Sequence, residues 1–276
     1  MTEIFKKDLS YSSMGTLMEC PYKFYLRYKE GWYPKKDKVA LAFGDAMDKA
    51  VGHSLSSMHG DAVARFRKIW VELKDSKTIE FTEKNNWKKM METGEELCKL
   101  FEENERDKFE EVIAIQKNLK GQEDPNGIHI ISFADVIAKV EGKITLIDVK
   151  TSAGAHYWKA KDVRTDPQLS LYYGLAAANN IHVDQVAFLV AFKDKPRWQW
   201  EFAPRCEDHV EEMREQVSFC KGVMNNGIYP KNWGSCDKFG GCEYSPICRG
   251  LAESTIKTTL KKTDKKPKKN NEEIKA

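Results

Sequence analysis

Asp135, Asp148 and Lys150 are the residues of this chain best placed to do chemistry together. They lie in SFADVIAKVEGKITLIDVKT, where Glu141-Gly142 reads as a two-residue hairpin turn that pairs Val140 with Lys143. Continuing that register sets Asp135 opposite Asp148, with Cβ atoms ~5 Å apart on one face. Lys150, two residues on, shares the face. Like charges opposed across a ladder are destabilising unless something positive lies between them, and a divalent cation with oxygen ligands would resolve the conflict. Two carboxylates holding Mg²⁺ or Mn²⁺, with a lysine to orient or deprotonate water and neutralise developing charge, make up the chemistry of phosphodiester hydrolysis. An isolated D-x-K is common by chance, but here Ile144, Leu146 and Ile147 flank it and argue for a strand within the core.

The cysteines form a second constellation. Cys236, Cys242 and Cys248 recur every six residues in WGSCDKFGGCEYSPICRG, among Gly240, Gly241 and Pro246, which let the backbone turn around a ligand. Cys20 could supply a fourth thiolate. Four thiolates suit either an iron-sulfur cluster or tetrahedral zinc, although zinc knuckles usually have closer pairs. Cys98, Cys206 and Cys220 read as small core or surface thiols. Seven cysteines are too sparse for a secreted disulfide scaffold, so reduced thiols or metal ligands are expected.

The elements that must position these groups follow from periodicity. Ser10 and Ser12 are candidate N-caps for a helix carrying Met14, Leu17 and Met18, and Pro21 suits the first turn of a second, with Cys20 at the junction. Residues 40–58 read as helical, and apolar stripes from Val63 to Leu73 and from Trp87 to Phe101 recur at helical spacing. The first hundred residues are thus expected to be α-helical. The period then changes: 112–119, 128–140 and 143–151 read as a three-strand meander. A helix over 166–179, a strand over 185–192, a turn at DKPR, a short strand over 198–202 and a helix over 207–224 complete the pattern.

Composition bounds the class. The 276 residues are 41% hydrophobic and 32% charged, a folded composition that predicts one main domain. No apolar run approaches the ~18 residues of a membrane span, and MTEIFKKDLS lacks the apolar core of a signal peptide, so a cytoplasmic protein with no membrane partner is expected. In the last 21 residues eight Lys face three acidic residues, a net +5, so a chain of net +3 carries −2 elsewhere. That Lys-rich tail, 255–276, has too little apolar content to order itself and is expected to be disordered.

Taken in order along residues 9–250, these motifs resemble the PD-(D/E)XK nucleases, in particular the RecB-like branch that includes CRISPR-adaptation nucleases and phage exonucleases. LSYSSMGTLMECPYKFYLRY is similar to the family's N-terminal segment, FGDAMDKA to its helix after a Gly, FADVIAKV to the motif-Asp strand and LIDVKTS to the D-x-K strand. DPQLSLYY matches Q-x-x-x-Y, with Gln168 and Tyr172 on one helical face.

The resemblance implies an α/β fold, a restriction-endonuclease-like central mixed sheet flanked by helices. It implies a single domain over 1–254, with a helical region at about 40–107, a catalytic core at about 108–225 and a clasp joining Cys20 to 236–248. The implied activity is a Mg²⁺- or Mn²⁺-dependent deoxyribonuclease, an exonuclease on single strands or duplex ends, working with DNA and with recombination, repair or replication proteins, in a phage-like setting. A catalytically impaired iron-sulfur DNA-binding accessory protein of the same fold is the alternative. Asp135, Asp148, Lys150, Gln168 and Tyr172 are the implied catalytic set, and Asp48, Asp135, Asp148 and Val149 the metal set. The resemblance also favours a 4Fe-4S cluster on Cys20, Cys236, Cys242 and Cys248. One position departs from the branch: four residues after Gly44, where its members carry a metal-binding His, this chain has Asp48, while His53 would point to another face. Asp is a good ligand for hard cations and is expected to take over the role.

Overall fold

The computed structural model describes residues 8–57, 59–75, 78–121, 125, 127–158, 162–238 and 241–263. The expected single domain resolves into two compact units. One comprises 1–36, 120–131 and 212–270; the other comprises 37–119, 132–211 and 271–276. No helix among the described residues is long and apolar enough to cross a membrane.

The first unit begins with β1 (Asp8–Leu9) and α1 (Tyr11–Glu19). Ser10 and Ser13 cap α1 reciprocally, each side chain bonding to the other's main-chain N–H. Cys20 breaks the helix in an extended conformation, and Pro21 opens α2 (Pro21–Phe24), which widens into a π-helical turn at Tyr25–Lys29. β2 (Trp32–Pro34) follows.

The second unit opens with β3 (Asp37–Lys38) and α3 (Val39–Leu55), followed by α4 (Ala62–Asp75), β4 (Ile79–Glu80) and α5 (Trp87–Asn104). β3 and β4 pair with each other, so the first hundred residues contain short strands as well as the expected helices. Phe43, Phe66, Trp70 and Leu97 are fully buried where α3, α4 and α5 meet. α5 approaches α4 so closely that a Cβ on Gly94 would collide with the Phe66 ring, which is why glycine sits mid-helix despite costing ~1 kcal/mol there.

β5 (Glu111–Lys120), β6 (His129–Val140) and β7 (Lys143–Ser152) form the expected meander. Glu141 and Gly142 both have positive φ, 51° and 74°, and the ladder runs from Val140↔Lys143 to Val136↔Ile147 in the predicted register. α6 (Ala155–Trp158) and α7 (Pro167–Ala178) cross over to β8 (Gln185–Phe192), which lies parallel to β7, and β9 (Arg197–Ala203) returns antiparallel. All eight residues of β8 are buried, as a central strand covered on both faces requires. Val136, Ile147, Val149, Ala187 and Leu189 face Val51 of α3 and Phe101 of α5, so the alternation sends Asp148, Lys150 and Phe188 to the opposite face.

α8 (Glu207–Asn226) leads back into the first unit, followed there by α9 (Ser245–Cys248), α10 (Glu253–Thr259) and β10 (Leu260–Lys262). The expectation of disorder from 255 is corrected here: β10 pairs with β2, and Thr263 N–H bonds to Gly31 O at 2.9 Å. Sparse apolar content suffices because Ile256 and Leu260 sit one helical turn apart and both pack against Leu26 and Tyr244. The rest of the expected Lys-rich tail, 264–276, lies outside the described residues.

Candidate active site

The second unit gathers the predicted carboxylates at one end of the β6–β7 hairpin. Beyond Val136↔Ile147 the ladder is completed by a side chain, since Asp135 Oδ2 accepts the Val149 N–H at 2.8 Å. That bond fixes Asp135 and the main chain of Val149 together. Asp148 is 1% exposed, and its Oδ2 lies 2.5 Å from Lys150 Nζ. Its Oδ1 accepts from Gln168 Nε2 at 3.2 Å, and the same amide donates to Tyr172 Oη at 2.6 Å. Gln168 is positioned by the start of α7, where Asp166 caps the Gln168 and Leu169 N–H groups and Pro167 occupies the first turn. The buried Arg205 ties that cap down through the carbonyls of Val163, Arg164 and Asp166.

Asp48 enters from α3. Gly44, one turn earlier, brings the helix against β7, where a Cβ would lie 3.5 Å from Thr151 Oγ1. Gln116 Nε2 donates to Asp48 Oδ2 at 2.8 Å and reaches Asp135 Oδ1 at 3.4 Å. Asp48 therefore belongs to the carboxylate cluster and is not a solvent-facing helix residue. Gln116 itself escaped the sequence reading. Its φ of 50° places it in the left-handed region within a strand, the local kink that a bulge produces, at a cost of about 1–3 kcal/mol for a non-glycine residue. The sole trace in the sequence is the run Val112 to Ile115, where the strict alternation of a strand fails.

The electrostatics follow from this crowding. Burial, then the charges of Asp48 and Asp148, hold the Asp135 carboxyl well above the ordinary Asp value of 3.8, against the opposing pull of Lys150 and the Val149 N–H. Burial favours the neutral amine of Lys150, but Asp148 and Asp135 outweigh it and keep the ammonium charged. Burial and the same two carboxylates push the Tyr172 phenol up, so it stays protonated.

Among the described residues no three His, Cys, Asp or Glu side chains converge as a metal-ligand group; the carboxylates are joined through the donors Gln116 and Lys150. The donor set nevertheless fits a hard divalent cation. Asp48, Asp135 and Asp148 offer oxygen ligands and an excess of negative charge, and Mg²⁺ commonly takes only one or two carboxylates, with water and phosphate completing its shell.

In the first unit Cys20, Cys236, Cys242 and Cys248 line one cavity together with Lys231 and Trp233. Cys20 Sγ accepts the Asn232 N–H at 3.4 Å, and Cys242 N–H donates to Cys236 O at 2.7 Å. Burial raises the thiol of Cys242 and that of Cys248, and Cys248 also feels the charges of Cys242, Cys20 and Cys236. Four thiols around one cavity, one of them accepting an N–H, suit a thiolate-bound metal or cluster in donor chemistry. Cys98 and Cys220 are buried and Cys206 is exposed, all apart from this cavity.

A sequence model of the PD-(D/E)XK nuclease superfamily matches residues 8–249. Among solved structures, the chain is similar to one described as "Putative exonuclease" from Eubacterium rectale, at 17% identity and a TM-score of 0.55 over 84% of this chain and 86% of that one. SSO0001 aligns at 13% identity over 75% of this chain and 86% of that one, with a TM-score of 0.29. Of the curated proteins, none matches.

Proposed function

Because the chain belongs to the PD-(D/E)XK nuclease superfamily, we propose that it is a Mg²⁺- or Mn²⁺-dependent deoxyribonuclease, an exonuclease acting on single strands or duplex ends in DNA recombination, repair or replication. The observation that carries this reading is the Asp148–Lys150 pair, held between Gln168 and the Asp135–Asp48 carboxylates. Asp135 and Asp148 would hold the ion, with Val149 and Asp48 as further ligands. When bound, the ion supplies Lewis-acid polarisation of the scissile phosphate.

The residues of the chain do the rest. Lys150 pairs with Asp148, which places its amine to orient or deprotonate the attacking water and to offset the charge developing on the phosphate. Gln168 holds Asp148 by one N–H and Tyr172 by the other, which fixes the rotamer of the buried carboxylate. Asp135 ties the two strands together through Val149.

Cys20, Cys236, Cys242 and Cys248 would hold a 4Fe-4S cluster. Supporting this is their common cavity, which joins residues more than 210 positions apart. Such a cluster would clasp the first unit together without need of redox chemistry. Protein purified without air should be brown with about four iron atoms and acid-labile sulfide; stoichiometric zinc without sulfide would reject the assignment.

The test of the activity is cleavage of labelled single- and double-stranded DNA with Mg²⁺ or Mn²⁺, compared with Lys150→Ala. Metal-dependent cleavage lost in the variant supports the reading. DNA binding with no cleavage under either metal would favour the accessory protein instead.

A further inference from the structure

The two units differ sharply in charge. Counted over the described residues, the cysteine-bearing unit has 14 Lys and Arg against 8 Asp and Glu, a net +6, whereas the carboxylate-bearing unit has 21 against 28, a net −7. A polyanion is therefore attracted to the first unit and repelled on average by the unit that carries the carboxylates.

Within the first unit the cations alternate with aromatic rings. Lys29 Nζ lies 5.1 Å from the Tyr229 ring, which lies 5.5 Å from Tyr25, itself 5.8 Å from Tyr22. Lys231 Nζ then bridges Tyr22 at 5.2 Å and Trp233 at 5.4 Å. Tyr25 and Lys29, four residues apart along the π-helical turn, both approach Tyr229. The three tyrosines and Lys29 are half-buried, Lys231 is exposed, and Trp233 leaves 56% of its surface in solvent. Of the nearby acids, Glu30 accepts from Tyr25 Oη and pairs with Lys262 at 2.8 Å, and Glu19, which lines the cavity beside Lys231 and Trp233, pairs with Lys23 at 3.8 Å. Lys231 and Trp233 also line the cysteine cavity, and Lys231 Nζ donates to Cys248 O at 3.1 Å, yet Trp233 keeps more than half of its surface open to solvent.

We propose that the strip Lys29–Tyr229–Tyr25–Tyr22–Lys231–Trp233 is a binding platform for single-stranded DNA, with Trp233 stacking an unpaired base and the two lysines contacting phosphates. Flat rings read any base by its face, and interleaved cations follow the backbone, so the site tolerates sequence and depends on salt. The inference rests on the nuclease reading for its substrate class, but it concerns binding rather than cleavage.

The test is fluorescence anisotropy of a labelled oligo(dT) with the full-length protein in EDTA, where no cleavage occurs. Trp233→Ala should weaken binding by about tenfold or more, and Trp233→Phe should restore most of it. Lys29→Gln should weaken binding and lower the salt slope by roughly 0.7. Circular dichroism and the melting temperature check that each variant folds. Parent-like affinity in both Trp233→Ala and Lys29→Gln overturns the proposal, as does duplex DNA binding equally well and losing as much in Trp233→Ala. Binding that behaves as stated without any Mn²⁺-dependent cleavage upholds the platform and sinks the nuclease reading; cleavage with unaffected binding does the reverse.

Discussion

Gln116 donates its side-chain amide to Asp48 Oδ2 at 2.8 Å, joining a strand of the sheet to a helix 68 positions earlier. The bond is held by a backbone in the left-handed region, where glycine would be more comfortable. Strain and amide can be separated. Gln116→Gly relieves the backbone but loses the amide, so the melting temperature should hold or rise while cleavage falls about tenfold to a hundredfold. Gln116→Ala loses the amide and keeps the strain, so both should fall. Parent-like cleavage in both variants would leave Gln116 with a purely structural part.

Lys150→Ala should abolish cleavage while DNA binding and Mn²⁺ binding survive. On the proposed reading, in which the carboxylates hold the ion and the lysine acts on water and phosphate, Asp148→Asn and Asp135→Asn should instead lose the metal as well. Calorimetric Mn²⁺ titration beside a cleavage assay separates the two kinds of loss. Three variants that cleave like the parent would move the active site elsewhere.

Asp135 gives a signed pH dependence. Its folded pKa is raised above 3.8, so the folded state binds the proton more tightly than the unfolded chain does. Its contribution to stability is therefore full below that value and is lost as pH rises towards the folded pKa. Asp135→Asn cannot ionise, so without metal its melting temperature should exceed the parent's by a margin that grows from pH 4 upward. Mg²⁺ or Mn²⁺ should narrow the gap at pH 7 by offsetting the parent's clustered charge. A margin independent of pH would show that the crowding is not felt.

The hairpin was legible because a two-residue Glu-Gly turn leaves a single register, which the ladder keeps from Val140↔Lys143 to Val136↔Ile147. Gln168 and Tyr172 stood out only through the Q-x-x-x-Y resemblance, since spacing alone fits a packing Tyr beside a surface Gln; their contact with Asp148 depends on the fold. Gln116 was not, since a left-handed kink inside a strand leaves no residue-type signature unless the residue is glycine. The strand at 260–262 was missed for another reason: its order depends on pairing with Trp32–Pro34, a partner more than 220 positions away, and local composition cannot register that.

Two truncations test that ending. Removing 264–276 should leave the melting temperature unchanged while weakening DNA binding most at low salt, because five Lys are lost. Removing 256–276 also strips Ile256 and the fully buried Leu260 from their contacts with Leu26 and Tyr244, which should cost about 1.5–3 kcal/mol for Leu260 alone. Equal denaturant midpoints for the two truncations would mean that β10 contributes nothing.

Asp48 stands where the RecB-like resemblance leads one to expect His, and it shares Gln116 with Asp135. A third carboxylate makes the cluster harder and more anionic than an imidazole would, which favours Mg²⁺. Asp48→Ala should lower cleavage severely. Asp48→His should retain part of it and shift the preference towards Mn²⁺, for which imidazole is the more acceptable ligand. Both variants free the Gln116 amide from its shorter bond, so part of the loss could come from Gln116 rather than from the metal. Asp48→Asn separates these causes: it keeps an oxygen for Gln116 but removes the charge, so a loss with unchanged metal preference points to charge alone. Cleavage rate measured against Mg²⁺ and against Mn²⁺ for the four proteins decides the matter, and superimposable curves would remove Asp48 from the metal site.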